Sequence, residues 1–249
     1  MDKDYSHIVF IMDRSGSMRS QANDAIGGFN AFIESQKALP GKATFSLVLF
    51  DDRYEEPYSF VPIETVAELT HRTFVPRGGT ALLDAVGRAI NETGVRLAAM
   101  PEHERPDRVM VAVLTDGEEN QSREFSPQRI KDMIEYQQTK YSWQITFLSS
   151  DIHAYEQSLS YGFSTGNTRP AASIGAAMKG YTLSAERSRS VSHADFAAVA
   201  VCAFGGEDIQ EALSNPTGQP VITKVQTSPA PSNNSTPDTN VSTGSTKTP

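Results

Sequence analysis

The run HIVFIM at residues 7–12 leads straight into DRSGS at 13–17. A short apolar run containing β-branched residues reads as a strand buried in a parallel sheet. Oxygen-bearing side chains begin where it stops. Outward from this stretch the same alternation recurs. Ala25, Ile26, Phe29, Phe32 and Ile33 fall at helical spacing. Gly27 and Gly28 weaken that helix by roughly 1 kcal/mol each relative to Ala, but they permit close packing. ATFSLVLF at 43–50 reads as a second core strand, and PYSFVPI at 57–63, with two prolines, as an edge strand. Leu82, Leu83, Val86, Ile90 and Leu97 mark a long amphipathic helix starting near Ala81. VMVAVLT at 109–115 is another buried strand. Ser126-Pro127 supplies an N-cap and first-turn proline for a helix carrying Ile130, Met133 and Ile134. WQITFLSS at 143–150 and a helix over roughly 153–160 complete the series. Strands alternating with helices at this rhythm indicate an α/β fold with a mainly parallel sheet.

Composition bounds what such a fold does. The chain has 249 residues, 22 Lys+Arg against 30 Asp+Glu, and a formal charge of −8. An acidic balance argues against nucleic-acid or anionic-membrane binding, where clustered positive charge supplies affinity. The one cysteine, Cys202, cannot form an internal disulfide and fits a reducing compartment. The apolar run Ile8–Met12 is too short for a signal-peptide core and is surrounded by Asp2, Asp4 and Asp13. A cytoplasmic protein is expected. From Gln226 to Pro249, 11 Ser/Thr and 4 Pro among 24 residues leave Val241 as the one aliphatic residue. Such a segment is expected to be a disordered tail. Residues 191–225, with HADFAAVAVCAF and EDIQEALSNP, form a C-terminal extension that either completes the main domain or packs outside it.

In doubly wound folds, ligands bind at the carboxyl ends of the central strands. Three segments carry oxygen donors to such places: Asp13-Arg14-Ser15-Gly16-Ser17 after strand 7–12, Gly78-Gly79-Thr80 before the helix near Ala81, and Thr115-Asp116-Gly117 at the end of strand 109–115. Hydroxyls and carboxylates are hard oxygen donors, which suit Mg2+ or Mn2+ rather than Zn2+. Each segment alone is commonly a turn. Their order and placement favour one joint metal site.

The ensemble resembles the von Willebrand factor A (VWA) family and its metal-ion-dependent adhesion site. Asp13, Ser15 and Ser17 match its DxSxS motif, Thr80 its lone threonine and Asp116 its distal aspartate. VFIMDRSGSM, IGGFNAFI, LFDD, GGTALLDAVG and LTDGEEN are similar to small stand-alone bacterial and phage members. The resemblance covers roughly residues 5–190. It implies a Rossmann-like, doubly wound, six-stranded sheet of order 3-2-1-4-5-6 with one antiparallel edge strand. It also implies that Ser15, Ser17 and Thr80 ligate Mg2+ or Mn2+ through hydroxyls, with Asp13 and Asp116 often acting through water. Residues 191–249 match nothing in the family pattern, which leaves the sliding final helix of switching members open.

The expected function is a non-catalytic module that engages an Asp or Glu of a partner protein through the ion. The alternatives are a metal-dependent phosphohydrolase with Asp13 as nucleophile, or a scaffold whose metal is only structural. An aspartyl-phosphate enzyme calls for Asp where Ser15 stands. No Walker loop occurs. His7, His71, His103, His153 and His193 are scattered and read as surface or packing residues. Asp84 reads as a favourable charge in a first helical turn. Asp51 is a candidate support for the site, and Arg14 and Arg77 read as solvated charges that could also meet an acidic partner.

Overall fold

The computed structural model describes residues 2–164, 168–191 and 195–196. Its elements run β1 (Asp2–Asp13), α1 (Ala22–Lys37), β2 (Lys42–Phe50), β3 (Tyr54–Pro62), α2 (Leu82–Ala99), β4 (Pro106–Thr115), α3 (Pro127–Tyr141), β5 (Gln144–Ser149), α4 (Ile152–Ser160), β6 (Thr168–Pro170) and α5 (Ile174–Ser190). The sheet order is β3-β2-β1-β4-β5-β6, with β3 antiparallel to β2 and the other pairs parallel. The sixth strand is a three-residue addition beside β5.

Both faces of the sheet are buried, which is why its strands read as unbroken apolar runs. Ile8, Phe10 and Met12 of β1 face the side covered by α1 and α5, while Val9 and Ile11 face α2 and α3. Gly28 lets α1 and α5 approach: a Cβ there would lie 2.7 Å from Met178 Cβ. Gly27 meets nothing within 4 Å, so close packing requires only the second glycine. Ser126 caps α3 as its sequence announces, accepting from Arg129 N at 3.3 Å. No helix among the described residues is long and apolar enough to cross a membrane.

Two differences from the sequence reading have physical causes. β1 begins five residues before the apolar run, because Tyr5 and Ser6 continue its ladder with Lys42 and Ala43 and the Tyr5 hydroxyl meets Thr44 Oγ1 at 3.0 Å. The long helix α5 carries no strong apolar stripe, since Ala177, Ala185 and Ser188 occupy much of its buried face. The tail at 226–249 lies outside the described residues, as does the extension at 191–225, Cys202 included, except for Val191, Asp195 and Phe196. Phe196 is buried in the core on the α1/α5 face, and its carbonyl accepts from Gln144 Nε2 at 2.7 Å.

Candidate metal centre

The strand order reverses between β1 and β4, so their following loops diverge and leave a crevice at the carboxyl edge. Asp13 closes β1 there. Its Oδ2 accepts from the Thr115 hydroxyl at 2.5 Å, across the gap to β4, and its Oδ1 accepts from Ser15 N at 2.6 Å. The Ser15 and Ser17 hydroxyls lie 2.9 Å apart, and Ser17 Oγ donates to Asp116 Oδ1 at 2.7 Å. Asp13, Ser15, Ser17 and Asp116 thus form one continuous polar chain. Thr80 arrives on a separate loop. A Cβ on Gly117 would stand 3.3 Å from Ser17 Oγ and 3.9 Å from Thr80 Oγ1, so both hydroxyls converge on the same glycine. A side chain at position 117 would fill that space.

The loops are tied by backbone. Gly16 N donates to Gly78 O at 3.1 Å, Arg77 N to Arg14 O at 2.8 Å and Ala81 N to Asp51 O at 2.9 Å. Thr80 O accepts from Asn120 N and Gln121 N at 3.0 and 3.2 Å, and Thr80 N donates to Asn120 Oδ1 at 3.0 Å. Gly78 has φ +67°, a left-handed conformation that glycine adopts without strain.

Several supporting residues escaped sequence reading. Gln21 Nε2 donates to Asp116 Oδ2 at 3.1 Å, holding the carboxylate from the far side. Glu119 accepts from the N–H groups of Leu83, Gln121 and Ser122 at 2.9, 2.8 and 2.7 Å, so it caps α2 from the loop after Asp116. Asp84 does more than favour a helix dipole. Its carboxylate accepts from Arg123, Glu124 and Phe125 N at 2.8, 2.9 and 3.0 Å. A capping carboxylate three residues from an Asp is a sequence signal only once the two loops are known to meet.

Arg14 corrects the expectation of a solvated or partner-facing charge. Though it sits between Asp13 and Ser15, it is only 4% exposed and turns away from them. Its Nε donates to Asp51 Oδ2 at 3.1 Å and its Nη1 to Glu55 Oε2 at 2.8 Å. Arg77 binds the same pair, Nε to Asp51 Oδ2 at 2.9 Å and Nη2 to Glu55 Oε1 at 2.6 Å. The Arg14 hydrogen bond, with Arg77 adding to it, holds the Glu55 carboxyl down at about 2. Both arginines are therefore already committed to carboxylates.

Among the described residues, no cation pairs with Asp13. Burial pushes its carboxyl up to about 6, against the hydrogen bonds from Thr115 and Ser15, and the charge of Asp116 adds to the rise. A buried carboxylate without a positive partner is unfavourable on its own. Among the described residues, no group of three His, Cys, Asp or Glu side chains could hold a metal ion. The two carboxylates and three hydroxyls of Asp13, Asp116, Ser15, Ser17 and Thr80 would fit a hard divalent cation, whose charge the carboxylates would match and whose remaining coordination neutral oxygens and water would fill.

No protein-family model matches the chain, and no curated protein does. Solved structures do match. Proximal thread matrix protein 1 from the mussel byssus, with a zinc-occupied MIDAS motif, aligns at 18% identity and a TM-score of 0.52, over 74% of this chain and 46% of that one. The pilus adhesin SpaC of Lactobacillus rhamnosus GG aligns at 14% identity and 0.55, over 76% of this chain and 31% of that one. A von Willebrand factor type A protein from Catenulispora acidiphila aligns at 15% and 0.47, over 74% and 43%, too loosely to argue from. The chain spans under half the length of each of these proteins. At such identities the likeness is one of fold: a VWA-like, Rossmann-type α/β domain with a mostly parallel sheet and one antiparallel edge.

Proposed function

We propose that this chain is a non-catalytic, metal-dependent protein-binding module of the cytoplasm, in which Asp13, Ser15, Ser17, Thr80 and Asp116 hold one Mg2+ or Mn2+ that receives an Asp or Glu of a partner protein. The observation that carries the reading is Asp13. It is a fully buried carboxylate at the strand-order reversal, held by a hydroxyl and an amide, with two further hydroxyls and Asp116 in line with it. Support comes also from the fold's occurrence in a pilus adhesin and in a protein with a zinc-occupied MIDAS motif. Magnesium or manganese rather than zinc is favoured by the all-oxygen donors.

Ser15, Ser17 and Thr80 would hold the ion through hydroxyls, and Asp13 and Asp116 through carboxylates, directly or by way of water. When bound, the ion supplies a positive centre with room for one outside oxygen ligand. Everything else is done by the chain. Thr115 and Ser15 fix both oxygens of Asp13, and Gln21 and Ser17 fix Asp116. Asp51 and Glu55 occupy Arg14 and Arg77, so neither arginine competes for the partner's carboxylate. With a net charge of −8, the protein otherwise repels an acidic partner, and the ion reverses the sign locally. Val75, ahead of the Gly78–Thr80 loop, and Ile152, the first residue of α4 after β5, are exposed and would offer apolar contact to a partner. The non-catalytic reading rests on the groups that touch the two aspartates: hydroxyls, an amide N–H and Gln21, none of which is a base.

The test is capture of partners from the source cell with wild type and Asp13→Ala, each with Mg2+ and with EDTA. The reading expects a partner retained by wild type in Mg2+ alone. A partner kept through EDTA and the substitution would move the binding surface elsewhere. Phosphoester turnover that Asp13→Ala abolishes would make the chain an enzyme.

A further inference from the structure

A groove of about 540 Å³ lies away from the carboxyl edge, between α2 and the face of β1–β3 that α2 only partly covers. Its volume falls in the range of small-molecule sites. Val9 and Val48 line it from the sheet, and Ala89 and Val95 from the helix. Phe60 closes one end under unusual constraint. It is a non-glycine residue at φ +56°, its ring stacks on the buried His7 at 3.9 Å, and the Arg96 guanidinium lies 4.6 Å above the ring centroid. Such a backbone persists only where its surroundings hold it, and it recurs at ligand clamps.

The charges in the groove do not balance. Glu56 on β3 and Glu92 on α2 both line it, with Arg96 as the one lining cation. Among the described residues neither glutamate forms a salt bridge, and Arg96 contacts Phe60 and the Ser59 hydroxyl rather than either carboxylate. Glu92 instead accepts from the Tyr54 hydroxyl at 2.6 Å. Burial and then the charge of Glu92 raise the Glu56 carboxyl, with Ser59 and Arg96 working against them. Two carboxylates and one guanidinium leave one negative charge above an apolar floor.

We propose that this groove binds a small organic monocation, an ammonium group carried on an apolar body. The excess carboxylate charge selects against anions. The valine and alanine walls offer nothing to a hydrated metal ion, and they suit a hydrocarbon. A neutral apolar molecule of the same shape would leave the carboxylate pair uncompensated.

The full chain titrated with 2-phenylethylammonium chloride, by calorimetry and by amide chemical shifts, tests this. 2-Phenylethanol and phenylacetate serve as neutral and anionic counterparts at equal ionic strength. The ammonium ion is expected to bind about tenfold tighter than the alcohol, the size of one charge-assisted contact. Phenylacetate is expected not to bind, and shifts should concentrate at residues 46–60 and 89–99. Glu56→Gln and Glu92→Gln, both at exposed positions, should each bring the ammonium ion to the affinity of the alcohol while the metal response of the protein is retained. Equal affinity for ammonium ion and alcohol, shifts outside the groove, no binding, or full affinity in both glutamine variants would each overturn the proposal.

Discussion

Two aspartates stand at the ends of adjacent strands, Asp13 closing β1 and Asp51 just past β2, and both are fully buried. Around Asp51 the protein supplies two guanidiniums, and the Arg53 N–H besides. Around Asp13 it supplies a hydroxyl, an amide and the nearby negative charge of Asp116. The contrast is sharpest at Arg14, whose backbone belongs to the Asp13 loop and whose side chain belongs to Asp51. One carboxylate is neutralised from within and ties three loops together. The other is pre-positioned by neutral donors and keeps its demand for a cation. Burial alone therefore does not distinguish the two carboxylates; the charge of their neighbours does.

That difference can be broken from either side. The largest effect is expected for Asp51→Ala, which strips the buried Arg14 of its main partner while leaving it Glu55. Breaking such a pair costs about 3 kcal/mol, or roughly 6–12 °C in melting temperature for a domain of this size. Thermal melts should show the same loss with and without Mg2+. Asp13→Ala comes next and behaves oppositely. Its metal-free melting temperature should match or exceed that of wild type, because an unfavourable buried charge is gone. It should lose the stabilisation that metal gives wild type, about 2.7 kcal/mol when the ion is present at one hundred times its dissociation constant. Asp116→Ala should lose the same response. An identical metal response in wild type and both variants would refute the donor set.

A smaller effect is expected for Thr115→Val, which removes the donor to Asp13 Oδ2 without touching a ligand. Groups in this position typically change metal affinity by about tenfold or more, and calorimetric titration with Mn2+ would measure it. The smallest concerns pH. The Glu55 carboxyl is held down at about 2 by Arg14 and Arg77. Its contribution to stability is thus complete above the ordinary carboxylate value and is lost as pH falls from about 4.5 toward 2. Melts across that window should fall less steeply in Glu55→Gln than in wild type. Glu55 is half exposed, so solvent screening keeps this slope modest.

The legible parts of the molecule are those whose physics is local. Strands buried on both faces appear as apolar runs, and β2 at 42–50 and the proline-marked edge β3 at 54–62 lie within three residues of where the sequence puts them. Ser126-Pro127 announces α3 for the same reason. The five residues proposed as metal ligands stand out because their segments follow strand ends or precede a helix, where side chains of different loops converge. What stayed hidden depends on distant pairing. Arg14, Glu55 and Arg77 look like ordinary surface charges until the loops close, and Asp51, a candidate support for the metal site, turns out to be the partner of both arginines. Glu119 becomes a helix cap only when its loop reaches Leu83. Helix α5 was hidden for another reason: its buried face uses alanine and serine, and Ser188 donates to Gln144 Oε1 at 2.8 Å instead of burying hydrocarbon.

Gln144 also holds the carbonyl of Phe196, the last described residue, and it does so at the first residue of β5. The proposed metal site lies at the other ends of the strands, about 17 Å away along the six residues of β5. A partner gripped at one pole and a load applied through Phe196 at the other would pull nearly along β1, β4 and β5. In that geometry the hydrogen bonds between parallel strands are strained in shear, many at once, rather than peeled open singly.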